Sequence, residues 1–107
     1  MFSWTPDASL NNHLGGITGG ALGGILDSVV GLSLQTTLPE GKAITTLEIK
    51  VNFLKAVRIS DGALTATGTV VKSGSRVGFT EGTVTDASGG LVATASATLL
   101  IVDFPRT

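Results

Sequence analysis

The chain has 107 residues, a net charge of −1, 42% hydrophobic and 14% charged residues, no cysteine and a single histidine. It is long enough for one small folded domain, taken as residues 1–107, and too short for two. Without cysteine, disulfides, thiolate metal sites and a cysteine nucleophile are excluded. His13 alone cannot build a multi-histidine metal site, and the scattered basic residues argue against a nucleic-acid surface.

Residues 1–16 read as irregular, with turn formers at Pro6-Asp7 and Asn11-Asn12. Residues 1–10 lack the basic start and apolar core of a signal peptide, so a cytoplasmic protein is expected. From Thr18 the pattern becomes helical. Leu22, Ile25, Leu26, Val29 and Val30 recur at spacings of three and four, Thr18 stands at the N-cap, and Pro39-Glu40-Gly41 ends the segment. The apolar run over residues 19–34 is too short to cross a membrane and contains Asp27. Five glycines between Gly19 and Gly31 weaken this helix by up to about 1 kcal/mol each relative to alanine, so it should lie against a sheet.

Strands are predicted after Lys42. Leu47, Ile49, Val51 and Phe53 alternate with Thr46, Glu48, Lys50 and Asn52, which predicts one buried face. Ser60-Asp61-Gly62 predicts a turn before a strand over 64–72, with Thr65, Thr67 and Thr69 on its outer face. Ser73-Gly74-Ser75 leads to a strand over 77–85, and the turn 86–90 to a last strand over 91–102. Successive short turns predict an antiparallel meander. In the last strand, Ala93, Ala95 and Ala97 form a small-residue row against which the helix glycines are expected to pack closely. The order of elements predicts an α+β fold in which a curved antiparallel sheet wraps one helix.

Asp27 is the residue that asks for an explanation. A carboxylate in an apolar helix must be paired, neutralised or used in chemistry. A phosphate-binding loop is excluded, because no Gly-Lys-Ser/Thr ending is present and the glycines precede the strands. Two readings remain: a structural ion pair, or a site. With Thr18 as cap, the amide of Gly19 stays free at the positive end of the helix, where it can polarise a carbonyl. Asp27 lies about 12 Å further along the helix, so one chain's Gly19 and Asp27 cannot reach the same carbonyl. Two helices antiparallel across a two-fold axis would bring the Asp27 of one chain to the Gly19 of the other.

The run Asn12-His13-Leu14-Gly15-Gly16-Ile17-Thr18-Gly19-Gly20, followed by Asp27, resembles the N-x-x-G-x-x-H-G-G…D signature of hotdog-fold acyl-CoA thioesterases, in particular the phenylacetic-acid-degradation (PaaI-like) branch. Thr45-Thr46-Leu47-Glu48-Ile49-Lys50-Val51-Asn52-Phe53-Leu54 and the segment from Thr85-Asp86 to Gly90-Leu91-Val92-Ala93 extend the resemblance. It implies a hotdog fold, homodimers often paired into homotetramers, shared sites between subunits, and no cofactor beyond the coenzyme A of the substrate. By position, Asp27 matches the family's nucleophile or general base and Gly19 its carbonyl-binding amide. Asn12 matches a residue that holds substrate or water, and Thr46 one that positions the attacking water. Thr18 stands where the family has histidine, beside Gly20 in the substrate-binding turn. His13 is out of register and reads as an ordinary loop histidine.

For the phosphates of coenzyme A, the turn Lys72-Ser73-Gly74-Ser75-Arg76 is the leading candidate against the plainer reading of a solvated hairpin; Lys55 and Arg58 rank behind it. Phe2 and Trp4 read as a core or interface edge. The expected function is hydrolysis of an aryl- or acyl-CoA thioester. The alternatives are a non-catalytic acyl-CoA or lipid-binding protein, suggested by Thr18, and, ranked last, a hotdog dehydratase, which would need a histidine in register. Neither a metal nor a nucleic-acid or membrane partner is expected.

Overall fold

The computed structural model describes residues 2–4, 19–57 and 62–103. In chain order it contains β1 (Phe2–Trp4), α1 (Gly19–Gln35), β2 (Lys42–Phe53), β3 (Leu64–Ser73), β4 (Val77–Thr85) and β5 (Leu91–Asp103). The strands form one antiparallel sheet in the order β1-β3-β4-β5-β2, and α1 lies across its inner face.

The helix forms where the three-and-four spacing places it. Leu22, Leu26, Val29, Val30 and Leu34 are buried against the sheet, each such side chain contributing roughly 1.5–3 kcal/mol. Its C-terminal carbonyls are taken up locally: Ser33 Oγ donates to Val30 O at 2.8 Å and Thr37 Oγ1 to Leu34 O at 2.7 Å. Gln35 Nε2 donates to Lys42 O at 3.0 Å and ties the helix end to β2. Gly41, at φ +88°, makes the turn between them in a conformation that favours glycine.

Three expectations are corrected. The meander holds for β3, β4 and β5, but β2 pairs with β5 at the far side of the sheet. The link from β2 to β3 is therefore a crossover rather than a hairpin, and Ser60 and Asp61 of the expected turn lie outside the described residues. Turn-forming residues reverse a chain locally and do not encode which strand it then pairs with. Val57, buried among Leu22, Leu64 and Val92, closes the core end along this crossover. Second, Phe2–Trp4 is a strand, pairing with Leu64–Ala66; three residues carry no period to read.

Third, the close approach between helix and sheet comes from the sheet. A Cβ on Gly68 would stand 2.5 Å from Val29 O, one on Gly78 2.5 Å from Leu34 Cδ2, and one on Gly82 2.9 Å from Val30 Cγ1. By contrast, among the described residues a Cβ on Gly20, Gly23 or Gly24 of α1 would meet nothing within 4 Å, and only Gly31 of the helix glycines approaches the sheet, at 3.2 Å from Ile44 Cδ1. The alanine row is buried as expected. An isolated glycine within a strand signals a close backbone approach, and Gly68, Gly78 and Gly82 carried that signal.

Candidate functional site

Asp27 projects from the middle of α1 toward β2, where Thr46 Oγ1 donates a hydrogen bond to its Oδ1 at 3.0 Å. The residues that resemblance placed together thus meet within one chain. Asp27 is exposed and Thr46 half-buried, so the carboxylate is solvated on one side and held on the other.

A β-bulge puts Thr46 there. In β2, Ile44 faces the core with Leu34 and Leu99, and so do Ile49 and Val51 further along. These positions differ by an odd number, which an uninterrupted strand cannot place on one face. The register shift between Thr46 and Glu48 leaves Leu47 without a cross-strand partner and restores the phase. Thr46 then opposes buried Leu99 on the helix side, whereas strict alternation placed it on the outer face. Leu47 and Phe53, expected to be buried, are 55% and 52% exposed.

Gly19 is the first residue of α1, at the positive end of the helix. Its separation from Asp27 is that of eight helical residues, so one chain does not unite them. Gly20 is exposed at the same helix end. Asn12, Thr18 and His13, like Arg58, lie outside the described residues.

The hairpin over Lys72, Ser73, Gly74, Ser75 and Arg76 closes through Gly74 N donating to Val77 O at 2.8 Å, and Ile101 N donates to Arg76 O at 2.7 Å. Ser75 and Arg76 border an open groove of about 380 Å³ together with Lys42 and Asp103. Lys42 is paired with Asp103, and its ammonium holds that carboxyl below the usual carboxylate range. Among the described residues, Lys72 and Arg76 form no ion pair. In the single chain this hairpin contacts the Lys42 end of the sheet and is not gathered around Asp27.

Lys55 is committed elsewhere, pairing with Asp86 in the β4–β5 turn. Asp86 also accepts from Ser88 N, Ser88 Oγ and Gly90 N, at 3.1, 2.7 and 2.8 Å. The Lys55 ammonium first, then the Ser88 and Gly90 bonds, hold its carboxyl far below the usual range. Leu54 N donates to Val92 O at 2.8 Å, so Lys55 and its neighbours brace the crossover against this turn. The Asp-x-Ser-x-Gly spacing of an Asx turn was the available sequence signal. Among the described residues there is no cluster able to hold a metal ion, and no helix long and apolar enough to cross a membrane.

A profile of the thioesterase superfamily matches residues 14–93. Among solved structures, the chain is similar to a candidate thioesterase related to phenylacetic acid degradation from Ralstonia eutropha JMP134, with 30% identity, a TM-score of 0.85, and 92% of this chain and 72% of that one covered. It is also similar to a hypothetical thioesterase from Streptococcus pneumoniae TIGR4 solved with coenzyme A, at 26% identity, TM-score 0.85, and 97% and 78% coverage. A thioesterase from Haemophilus influenzae shares the fold at 22% identity, TM-score 0.90, and 97% and 71% coverage. No curated protein matches the chain. A five-stranded antiparallel sheet around one helix, these structural matches and a profile spanning Asp27 and Thr46 together make the chain a member of the thioesterase superfamily with the hotdog fold, and the PaaI-like branch is consistent with them.

Proposed function

We propose that the protein is an acyl-CoA thioesterase that hydrolyses an aryl- or acyl-CoA to the free acid and coenzyme A. The observation that carries this reading is the Asp27 carboxylate, exposed on the helix and held by Thr46 at 3.0 Å. The thioester carbonyl is polarised by the Gly19 amide of a second copy. Asp27 then acts in one of two ways. As nucleophile it attacks the carbonyl carbon, the C–S bond breaks, coenzyme A leaves as thiolate, and water hydrolyses the mixed anhydride. As general base it takes a proton from water, whose oxygen adds to the carbonyl carbon, and the proton passes to the departing sulfur. Asn12 orients substrate and water beside the carboxylate that Thr46 holds, Thr18 and Gly20 border the carbonyl, and Lys72 to Arg76 supply donors for the phosphates of coenzyme A.

Two features support a homodimer with shared sites, which relatives of the PaaI-like branch often pair into tetramers. The β2 strand ends the sheet and has a described neighbour on one side only. Because Leu54 N donates to Val92 O, ladder parity turns the backbone groups of Ile49, Val51 and Phe53 toward the open edge. Second, Gly20, Gly23 and Gly24 offer a helix surface on which a Cβ would meet nothing, suited to a closely approaching helix. Coenzyme A is part of the substrate, and no separate cofactor is invoked.

The test is release of free thiol across aromatic and aliphatic acyl-CoAs, for the wild type and Asp27→Asn. Turnover of at least one thioester that Asp27→Asn lowers about a hundredfold, to a small but measurable residue, is expected; no turnover at all, or an unaffected Asp27→Asn, overturns the reading. Thr18, standing where the family signature has histidine, favours a second reading: an acyl-CoA or lipid binder without hydrolysis. Calorimetry decides it, since tight acyl-CoA binding without thiol release supports the binder and absent binding removes it.

A further inference from the structure

A threonine hydroxyl carries one hydrogen and two acceptor lone pairs. The hydrogen of Thr46 is donated to Asp27 Oδ1 at 3.0 Å, across 19 residues of sequence and from strand to helix. It is therefore not available to a substrate carbonyl or to any other acceptor. The two partners also differ in freedom. Thr46 is β-branched and stiff at its first side-chain torsion, half-buried, and paired through its backbone with Leu99. Asp27 is exposed, and among the described residues Thr46 alone bonds its side chain. The rigid partner thus fixes the free one. The bond selects one orientation of the carboxylate, with Oδ1 engaged and Oδ2 left to react.

We propose that Thr46 is a positioning residue for Asp27: its hydroxyl locks the carboxylate so that Oδ2 is presented in one orientation, and Thr46 affects the reaction only through that carboxylate. The Leu47 bulge sets the aim, since it keeps Thr46 on the helix face while Ile49 and Val51, partly buried, still pack against the core there. The role in turnover rests on the thioesterase reading; the locking of Asp27 does not. Toward a water molecule, Thr46 can then only accept, so any water it touches is oriented by the same committed hydrogen.

The experiment is a double-mutant cycle with a spectroscopic arm. Thr46→Val removes the hydroxyl at nearly constant shape, Thr46→Ser keeps it, and each is made in the wild type and in Asp27→Asn. On the best thioester of the panel, Thr46→Val should lower kcat about tenfold with KM changed by less than about twofold, and Thr46→Ser should restore most of it. In Asp27→Asn, Thr46→Val should cost nothing further. Independent, multiplying losses in the two variants overturn the proposal, because Thr46 would then act on water or substrate directly.

The spectroscopic arm needs no turnover. With aspartate labelled by ¹³C at the carboxyl, the Asp27 resonance is assigned by its loss in Asp27→Asn. At one fixed pH it should move in Thr46→Val and return in Thr46→Ser. If it moves while the wild type hydrolyses nothing, the thioesterase reading falls and the positioning stands. If it does not move, the positioning falls whatever the turnover.

Discussion

Adding one methyl group to a glycine should have opposite effects on the two sides of the helix–sheet interface. In Gly68→Ala the new Cβ would stand 2.5 Å from Val29 O and 3.0 Å from Val29 C, both backbone atoms that cannot rotate away. Helix and strand must part by about 1 Å, an overpacking that costs about 1–3 kcal/mol. At Gly78 and Gly82 the nearest atoms belong to the side chains of Leu34 and Val30, which yield more easily, so the same change should cost less there. In Gly24→Ala the Cβ meets nothing within 4 Å among the described residues, and the helix gains up to about 1 kcal/mol of propensity. For a chain of this size, 1 kcal/mol corresponds to a Tm shift of about 4–8 °C. Gly68→Ala should therefore melt about 10 °C below the wild type, and Gly24→Ala several degrees above it at protein concentrations low enough to leave the chain monomeric, followed by circular dichroism. Val29 lies two residues beyond Asp27 on α1, so Gly68→Ala should also loosen the Asp27–Thr46 bond. Equal Tm values for the two variants, or a Gly68→Ala as stable as the wild type, would refute this account of the packing. Melts at two protein concentrations add a second reading: a loss in Gly24→Ala that grows with concentration would place a second copy on that helix face.

Three further outcomes are expected. A Gly19→Pro chain mixed with an Asp27→Asn chain should recover roughly one quarter of wild-type thiol release after statistical exchange, since half the dimers carry one intact site. Gly19 opens the helix, where proline is tolerated, so the fold should survive while the amide hydrogen is lost; verified heterodimers without recovery would count against shared sites. Asp86→Asn should lower Tm at neutral pH, because the folded carboxyl is held far below its unfolded value near 3.9. A depressed carboxyl stabilises the fold above the unfolded value and loses that contribution as pH falls through the folded one, so the Tm difference should shrink below about pH 4; a gap that widens there is inconsistent with this sign. Among the described residues Thr80 Oγ1 is buried and finds no partner, so Thr80→Val should leave stability unchanged or raise it by about 1 kcal/mol; a clear loss in thermal unfolding would show that the hydroxyl is satisfied.

The Asp27–Thr46 contact shows how far local pattern reaches. Asp27 stood out as the charge in an otherwise apolar run, although the fold exposes it and spares it the cost of burial, and resemblance brought Thr46 to the same site. Alternation, however, grouped Thr46 with Glu48 and Lys50 on the outer face. One extra residue at Leu47 reverses that assignment, and a bulge leaves no local signature because it is a property of two paired strands. The glycines taught the converse. Those of α1 drew attention by their number, yet the tightest approaches lie at Gly68, Gly78 and Gly82, with Gly31 a looser one, and in each the opposing atoms come from another element of the fold.

The helix, the alternating strands, the chain reversals and the unusual carboxylate follow from the sequence alone, because each depends on spacings of a few residues. The pairing of β2 with β5, the crossover sealed by Val57, the commitment of Lys55 to Asp86 and the aim of Thr46 at Asp27 were decided only in the tertiary structure. Each joins atoms far apart along the chain, and each is set by which apolar faces the sheet must close around the helix rather than by any local preference.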